Sequence, residues 1–246
     1  MSINLLGEPV FTAGGARRSL PEILDLLAQG VAVSFDALQP HEVQAWYCFL
    51  AQVGAIAVHR QGHVEAPTGV AWWRDALVAL TDGDETPWHL VVSDGTRPAF
   101  MQPPSTGGLT DFTFQKKPFP CPDSISICGA AKGHDIKLDR MRQAAAEHWI
   151  YALVALQTVQ GYVGRGREGV ARMRHGGAAR LFVSIAPENP GLRFRRDVRR
   201  LIARRAEMIQ RYPIFQVEGG LALLWCVPWS AGLKKGAPLE HLDPAT

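Results

Sequence analysis

Apolar residues recur at helical spacing in several stretches of the chain, and the first stretch has clear end signals. In residues 20–29, LPEILDLLAQ, the apolar positions fall on one side of a helix. Ser19 and Glu22 have the spacing of a capping box, and Pro21 suits the first helical turn. Gly30 is a typical residue just past a helix end. The pattern predicts a helix that begins after Ser19 and stops at Gly30.

Four further helices are predicted from the same spacing of apolar residues. The second helix, HEVQAWYCFLAQVGAIAV, is apolar nearly all round, which is typical of a buried helix. The third contains a tryptophan pair, for which a place in the core or in a subunit contact is expected. The fourth is long and rich in alanine, and the fifth carries many arginines. Their ranges are Pro40 to about Val58, Val70 to Leu80, Leu138 to about Gln160, and Arg195 to Arg211.

Three short apolar runs predict strands, namely Trp88 to Val92, Ala179 to Ile185, and Leu221 to Val227. Residues 102–137 are rich in proline, glycine and serine and predict a long irregular loop, which in a compact protein is usually functional or disordered. Residues 232–246 predict a polar tail. The chain is therefore expected to have an α+β fold, with mixed helices and short strands around one core in residues 1–231.

The composition fits a globular protein with one core. The chain has 246 residues, of which 47% are hydrophobic and 20% are charged. It has no apolar run long enough to span a membrane, and its first residues do not resemble a signal peptide. Scattered cysteines do not match the paired spacing of a structural zinc site, and free thiols fit a reducing compartment. A cytoplasmic protein with no metal and no membrane contact is expected. The cysteines are Cys48, Cys121, Cys128 and Cys226.

The net charge of +3 is distributed unevenly along the chain. Residues 159–211 contain thirteen arginines, four acids and no lysine, a balance of +9. The rest of the chain has thirteen basic and nineteen acidic residues, a balance of −6. A basic patch on a mildly acidic body indicates a polyanionic partner, although a solvated charged face has the same composition. The exclusive use of arginine favours phosphate, which the planar guanidinium can bind through two hydrogen bonds at once.

The stretch VQGYVGRGREGVARMRHGG, residues 159–177, contains the pattern G-x-G-x-x-G. In a dinucleotide-binding fold this pattern follows a strand and opens a helix. Here the predicted element before it is a long helix, and no apolar strand lies close upstream, so a nicotinamide or flavin site is not expected. A basic glycine loop is favoured instead, because glycine lets the backbone approach a ligand closely and arginine can hold phosphates. The alternative is a surface loop whose arginines only keep it soluble. The residues expected to bind DNA are Gly161, Gly164, Arg165, Gly166, Arg167, Gly169, Arg172 and Arg174.

Catalytic patterns are sparse, and neither an enzyme nor a cofactor is expected. No metalloprotease, serine-hydrolase or phosphate-binding-loop motif is present. Asp135 follows His134 directly, but adjacent side chains rarely converge on one substrate. His148 lies on the predicted alanine-rich helix, where a buried or interface position is more common than a metal site. A hydrolase built on these three residues is the weakest of the alternatives.

Several short motifs resemble one known family when they are taken in order. They are INLLGEPV at residues 3–10, SLPEILDLL at 19–27, PAFMQ at 98–102 and LWCVPW at 224–229. They are similar to the N-L-L start, the leucine-rich helix, the P-F-x-Q signature and the W-x-x-P block of the large subunit of type I-E CRISPR surveillance complexes, the Cse1 or CasA family. The long loop, the alanine-rich helix and the glycine loop follow in the same order as in that family.

The resemblance implies a subunit of an RNA-guided DNA surveillance complex (Cascade) in antiviral defence. In such complexes guide pairing reads the target sequence, and protein reads only a short PAM. The glycine loop is implied to approach the PAM duplex, and residues 105–137 resemble a loop that contacts a backbone subunit and the 5′ end of the guide RNA. The implied partners are guide RNA, target double-stranded DNA, the Cas5, Cas7 and small subunits, and a helicase-nuclease or nuclease-bearing subunit that cleaves. The residues implied to bind RNA or a subunit are Lys116, Lys117, Lys132 and Lys137.

The chain resembles the N-terminal half of that family, whose members continue into a C-terminal helical bundle. The strand-wedging residues of that second part are not carried over. The main alternative function is a structural capping subunit that binds only partner proteins without touching DNA. The sequence also leaves open whether the predicted helix Arg195–Arg211 faces DNA, RNA or a subunit.

Overall fold

The computed structural model describes residues 2–105, 119, 121–126, 143–160, 162–164, 167–168, 187–228 and 241–246. Within these residues the chain has six α-helices and two small antiparallel sheets, which confirms the predicted α+β fold. No helix in these ranges is both long enough and apolar enough to cross a bilayer. The strands are β1 (Phe11–Ala13), β2 (Ala16–Arg18), β3 (Tyr162–Gly164) and β4 (Arg167–Glu168). The helices are α1 (Leu20–Ala28), α2 (Val43–Arg60), α3 (Val70–Ala79), α4 (Ala146–Ala155), α5 (Pro190–Ala203) and α6 (Arg205–Arg211).

Helix α1 begins and ends where its sequence signals predict. The backbone N–H of Ser19 donates to Glu22 Oε2 at 2.6 Å, which is the reciprocal contact of a capping box. Gly30 has a φ of +84°, a conformation that glycine adopts without the penalty other residues incur. The apolar face of the helix, including Leu24 and Leu27, is fully buried in the core.

Helix α2 is the centre of the core and is buried along most of its length, as its apolar sequence predicts. The indole of Trp46 is fully buried and is surrounded by aromatic rings. The ring centroids of Tyr151, Phe11 and Phe35 lie 5.0, 5.3 and 5.8 Å from that of Trp46. These rings come from α4, β1 and the segment between α1 and α2, so one tryptophan joins three separate parts of the chain.

Helix α5 approaches α1 and α2 very closely, and glycine makes both approaches possible. A Cβ added to Gly54 of α2 would lie 2.8 Å from the ring of Phe194. A Cβ added to Gly191 at the start of α5 would lie 2.5 Å from backbone atoms of Gly30 and Val31. Phe194 and its neighbour on the same face, Val198, are 3% and 0% exposed, so α5 is held against the core by its apolar face.

The segment around His89 pairs with residues 3–5 without forming a regular strand. Leu5 N donates to Trp88 O at 3.1 Å, and Leu90 N donates to Ile3 O at 2.8 Å. A single bridge between Asn4 and His89 results.

The predicted strand Trp88 to Val92 is therefore wrong. Residues 4–8 turn back on themselves, with Glu8 N donating to Asn4 O at 2.9 Å, so they offer only a short edge for pairing. Thr86–Trp88 instead forms a 3-10 turn, and Pro87 is its second residue.

The arginine-rich helix begins five residues earlier than predicted. Asn189 Oδ1 accepts hydrogen bonds from Gly191 N at 2.8 Å and Leu192 N at 3.2 Å, and Pro190 occupies the first turn. Asparagine followed by proline is a common way to begin a helix, so this signal was available in the sequence. The predicted single helix is also divided at Arg204, where α5 ends and α6 begins.

The predicted helix Leu138 to Gln160 and strand Leu221 to Val227 also differ from the structure. Helix α4 begins at Ala146, because Ala145 is extended and its N–H donates to His148 Nδ1 at 3.1 Å. Residues 138–142 and the predicted strand Ala179 to Ile185 lie outside the described residues. Leu224–Cys226 is a 3-10 turn, since in this run only Leu221 has a bridge partner, Leu242.

The predicted polar tail is wrong for residues 241–246, which pack into the core. Asp243 and Arg205 form an ion pair of 2.6 Å with side chains only 2% and 9% exposed. Arg60 lies at 4.0 Å from the other carboxylate oxygen, and the N–H of Ala245 donates to Asp243 at 3.0 Å. The Asp243 carboxylate is buried together with its counter-charge, the guanidinium of Arg205 at the start of α6.

Replacing Gly191 with alanine is expected to lower the free energy of unfolding by about 1–3 kcal/mol, since the new methyl group would collide with backbone atoms that cannot move independently. Helix propensity alone favours alanine, so the two effects have opposite signs. Urea unfolding measures the change. The control is Gly7→Ala, where no atom lies within 4 Å of the added Cβ and a change within about 0.5 kcal/mol is expected. Equal results for both variants would contradict the close approach.

Replacing Asp243 with asparagine is expected to cost about 3–5 kcal/mol of unfolding free energy, because it leaves the buried Arg205 without its counter-charge. Thermal and urea unfolding at neutral pH measure the loss. The double variant Arg205→Met with Asp243→Asn removes the unpaired charge and is expected to recover a large part of the loss. A double variant no more stable than the single one would show that the pair is not the source of the effect.

Candidate nucleic-acid interface

Two of the eight residues predicted to bind DNA lie in the small sheet of β3 and β4. Gly164 is paired with Arg167 and Tyr162 with Glu168, and the register shifts between the two pairs. Backbone pairing therefore fixes the direction of the chain on both sides of the predicted loop. The other six lie outside the described residues: Gly161, Arg165, Gly166, Gly169, Arg172 and Arg174.

The pairing of β3 with β4 also bears on the dinucleotide interpretation. The expectation that no strand lies close upstream of Gly164 is wrong, because β3 ends at this residue. A dinucleotide-binding turn opens a helix after its glycines, and the helix N-terminus binds the pyrophosphate. Here Arg167–Glu168 is instead a strand that pairs back onto β3. A dinucleotide site is still rejected, but the reason is that these paired strands present no helix N-terminus, and not that an upstream strand is missing.

A π-helical turn leads from α4 toward this sheet. Residues Leu156–Gln160 form the turn, and Gln157 within it is 8% exposed. The Gln157 side chain donates to the carbonyl oxygen of Met101 at 3.0 Å, which ties the turn to the PAFMQ segment. Single π-turns inside helices are rare and are often found at functional sites.

The lysines predicted to bind RNA or a subunit, Lys116, Lys117, Lys132 and Lys137, lie outside the described residues. Between the two pairs, residues 121–126 are held against α2 and α4. Gln39 Nε2 donates to Asp123 Oδ1 at 3.2 Å, and Ser126 Oγ lies 2.9 Å from His41 Nε2. Ile125 packs against α4. The predicted RNA-contacting loop is therefore anchored near its middle at the start of α2.

A buried carboxylic acid lies at this anchor point. Glu42 is 4% exposed, and its burial, together with the nearby charge of Asp123, raises its pKa to about 7, although the N–H of Gln39 opposes the shift. Burial also lowers the pKa of His41. Both groups are thus driven toward their neutral forms where the loop segment docks.

Helices α5 and α6 carry an arginine surface. Arg195, Arg199, Arg200, Arg204 and Arg211 are exposed, and Arg193 and Arg196 are half-buried. We call these seven residues the arginine face. Arg205, the eighth arginine of these helices, is buried and paired with Asp243. Within the predicted helix Arg195–Arg211, one arginine is thus structural and six lie at the surface.

Few carboxylates neutralise the arginine face. Arg196 is paired with Asp197 at 2.7 Å and Arg204 with Glu207 at 3.3 Å, and the side chain of Arg204 is 71% exposed. Arg199 lies 4.0 Å from Glu65, and both side chains are more than 60% exposed. Such exposed pairs contribute about 0–1 kcal/mol and open readily. In the described part of the chain, no carboxylate lies within ion-pair distance of Arg193, Arg195 or Arg200.

The described residues contain no group of three or more potential metal ligands. His148, weighed as a catalytic residue, accepts a hydrogen bond from the N–H of Ala145, while His134 and Asp135 lie outside the described residues. Cys48 and Cys226 are half-buried free thiols, and burial raises the pKa of Cys226 to about 12.

Three of the motifs that carry the family resemblance pack against the same turn at residues 87–90. Leu5, from the first motif, is hydrogen-bonded to Trp88. Phe100, from PAFMQ, donates its N–H to His89 O at 2.8 Å. Trp225, from the last motif, donates its indole N–H to Pro87 O at 3.0 Å, and its ring lies 5.5 Å from that of Phe100. These three residues therefore belong to the core and not to the exposed surface.

Comparison with known proteins adds no relative. No protein-family model, curated protein or solved structure matches the chain. The resemblance to the Cse1 family stays a prediction that rests on its motifs.

The raised pKa of Glu42 predicts a specific pH dependence of stability. Because the folded chain holds this proton more tightly than the unfolded chain does, the free energy of unfolding falls as pH rises from about 4.5 to about 7. A shift of this size corresponds to about 3 kcal/mol. The variant Glu42→Gln is expected to lose this component, which urea unfolding at several pH values measures.

The matched control for this measurement is Glu65→Gln, at a carboxylate that is 66% exposed. It should keep the pH profile of the unaltered chain. An unchanged profile in Glu42→Gln would show that Glu42 is already ionised when the chain is folded.

Proposed function

We propose that the chain is a subunit of an RNA-guided DNA surveillance complex of the Cascade type, in which it binds PAM-proximal duplex DNA and contacts guide RNA and sibling subunits. In this role it performs no chemistry itself. Cleavage belongs to a recruited helicase-nuclease or to a nuclease-bearing subunit. We place the protein in the cytoplasm, where such complexes meet invading DNA.

The observation that carries the proposal is the arginine face. Arg195, Arg199 and Arg200 lie on α5 and Arg204 at its end, and the carboxylates paired with Arg199 and Arg204 are themselves exposed, so these pairs open readily. Guanidinium groups bind phosphate through two hydrogen bonds, and phosphate contacts supply most of the affinity of sequence-independent nucleic-acid binding. In a complex whose guide RNA reads the sequence, this kind of binding is what a protein subunit has to provide.

The family-like motifs belong to one core. Leu5, Phe100 and Trp225 are far apart in sequence, yet all three contact the turn at residues 87–90. Buried apolar residues of a single domain meet in this way, so the motifs support the proposal by their order along the chain and not by their packing. The π-turn that precedes the glycine loop is hydrogen-bonded to the PAFMQ segment through Gln157 and Met101.

The test is reconstitution of the full chain with its sibling subunits and a guide RNA, followed by binding of duplex DNA that carries the PAM. In one variant Arg165, Arg167, Arg172 and Arg174 of the glycine loop are replaced together by alanine, and in a second variant Arg195, Arg199, Arg200 and Arg204 of the arginine face are replaced. The affinity is expected to fall at least about tenfold, and the dependence on salt to flatten by about 0.9 per lost phosphate contact. The control is Arg97→Ala, whose guanidinium already lies 2.6 Å from the carboxylate of Asp84 and whose loss is expected to leave DNA affinity unchanged.

Two outcomes would overturn the proposal. If the complex assembles and both fourfold variants bind the duplex as tightly as the unaltered complex, neither the glycine loop nor the arginine face binds DNA. The capping subunit, which touches only partner proteins, would then be the better interpretation. If the chain expressed with its neighbouring genes purifies alone, with neither a short RNA nor sibling proteins, membership of such a complex fails.

A further inference from the structure

A groove of about 310 Å³ lies between α2 and α5, on one side of the arginine face. Five of its nine lining residues come from α2 and four from α5. Tyr47 and Arg193 contact each other in it, and Arg200 lines it about two helical turns farther along α5. The groove exists because the two helices touch at Gly54 and Phe194 and leave the space beside this contact open. Its volume is at the lower end of the range for small-ligand sites.

A cation–π pair lines one part of the groove. The guanidinium carbon of Arg193 lies 4.3 Å from the centroid of the Tyr47 ring. The ring is held in place because its hydroxyl donates to the carbonyl oxygen of Val33 at 3.1 Å. A guanidinium held over an aromatic ring keeps its charge and offers its outer flat face to a further planar group.

The charge of the groove is positive. Asp197 is the carboxylate that lines it, and this side chain accepts hydrogen bonds from Arg196 Nε at 2.8 Å and Nη2 at 2.7 Å. In the described part of the chain, Arg193 and Arg200 have no carboxylate within ion-pair distance. Two guanidinium groups are thus available to an anion.

Two amide side chains complete the lining. Gln44 Nε2 makes a long contact of 3.6 Å to Cys48 Sγ, and within the described residues the amide of Gln52 has no hydrogen-bond partner. A primary amide has both donors and acceptors, which suits the polar edges of nucleobases. The groove therefore offers a flat stacking partner, hydrogen bonds for a base edge, and a separate cation.

We infer that this groove binds a nucleotide of a single-stranded nucleic acid, with the base stacked on the Arg193–Tyr47 pair and the phosphate held by Arg200. Single strands are recognised in this way, through bases stacked on aromatic or guanidinium planes and amide contacts to their edges. A duplex keeps its base faces inside the stack and offers nothing to the Tyr47 pair. An acidic peptide would use the two cations, but it has no planar group to place on the stack.

The inference deepens the proposed function and rests on it in one respect, since the natural strand is taken to be the guide RNA. The groove itself requires neither the glycine loop nor a PAM. Its test therefore uses the full chain alone and a single-stranded probe, so the two proposals can fail separately.

The probe is a fluorescently labelled oligouridylate of about 12 nucleotides, and anisotropy is measured over a range of salt concentrations. The double variant Arg193→Gln with Arg200→Gln is expected to bind at least about tenfold more weakly, because charge-assisted hydrogen bonds to phosphate are lost. Its salt slope should fall by about 0.7 for each lost phosphate contact. The single variant Arg200→Gln leaves the Tyr47 stack intact, so a loss of binding there cannot be attributed to a disturbed fold.

The matched control is Arg195→Gln with Arg199→Gln, which removes the same charge from the residues of α5 that do not line the groove. It should weaken binding by less than about threefold if the groove is the site. Equal losses in both double variants would show diffuse attraction to the helix and overturn the inference, as would the absence of probe binding by the unaltered chain. Competition by polyglutamate as effective as that by unlabelled oligouridylate would indicate an acidic peptide and overturn it too.

Cys48 gives a direct report on occupancy because it lines the groove. Its alkylation rate is measured with and without oligouridylate by peptide mass mapping, in the unaltered chain and in the Arg193→Gln, Arg200→Gln double variant. Protection of Cys48 in the unaltered chain, with no protection in the double variant, is the expected result. If the probe binds and Cys48 reacts at its original rate, the strand lies elsewhere and the groove assignment fails, while the duplex-binding proposal is untouched.

Discussion

The close packing of α5 against α1 and α2 is the constraint on which the surface of this protein depends. Glycine at 191 lets the start of α5 rest on the backbone of Gly30 and Val31, and glycine at 54 lets Phe194 enter beside α2. Once these contacts fix the rotation and position of α5, every arginine on it has a determined direction. Side chains on one flank then line the groove with α2, while Arg199 reaches toward Glu65 on the other flank. A charged surface is thus positioned by apolar contacts beneath it.

The family-like motifs and the charged surface contribute in different ways to the functional interpretation. Leu5, Phe100 and Trp225 are buried in one cluster, so the resemblance of their motifs to the Cse1 family concerns the packing of the core. Fold and function are separable, because function depends on the residues that the fold places at the surface. The proposal of nucleic-acid binding therefore depends on the arginines, and the proposal of a Cascade subunit depends on both kinds of observation.

Local signals in the sequence were sufficient where a segment's structure depends on its own residues. The capping box and Gly30 defined α1, and the apolar character of α2 predicted its burial. The run at Trp88 to Val92 has the composition of a strand, but a strand needs a partner of matching length, and residues 4–8 turn away after one bridge. Leu221 to Val227 likewise has the composition of a strand, but its single bridge joins Leu221 to Leu242. The start of α5 was recoverable from Asn189 and Pro190, whereas burial of Asp243 was not, since it depends on Arg205, which is distant in sequence.

The candidate interface shows a comparable division. Composition predicted a basic surface between residues 159 and 211, and α5 and α6 do carry exposed arginines. Which arginine is structural and which two share a groove with Tyr47 depends on how helices pack, and charge counting does not contain that information. The argument against a dinucleotide site also came from the structure, because only strand pairing shows that Arg167–Glu168 returns onto β3.

The use of arginine alone on α5 and α6 has a consequence for regulation. Arginine stays protonated at every physiological pH, and it is not a substrate for acetylation, which neutralises lysine. All six lysines of the chain lie outside the described residues, so the described surface has no positive side chain that acetyl transfer could silence. Because the charge of this surface is permanent, release of whatever binds there depends on the ligand, on the ionic conditions, on a competing partner or on arginine methylation, which keeps the charge and blocks paired hydrogen bonds.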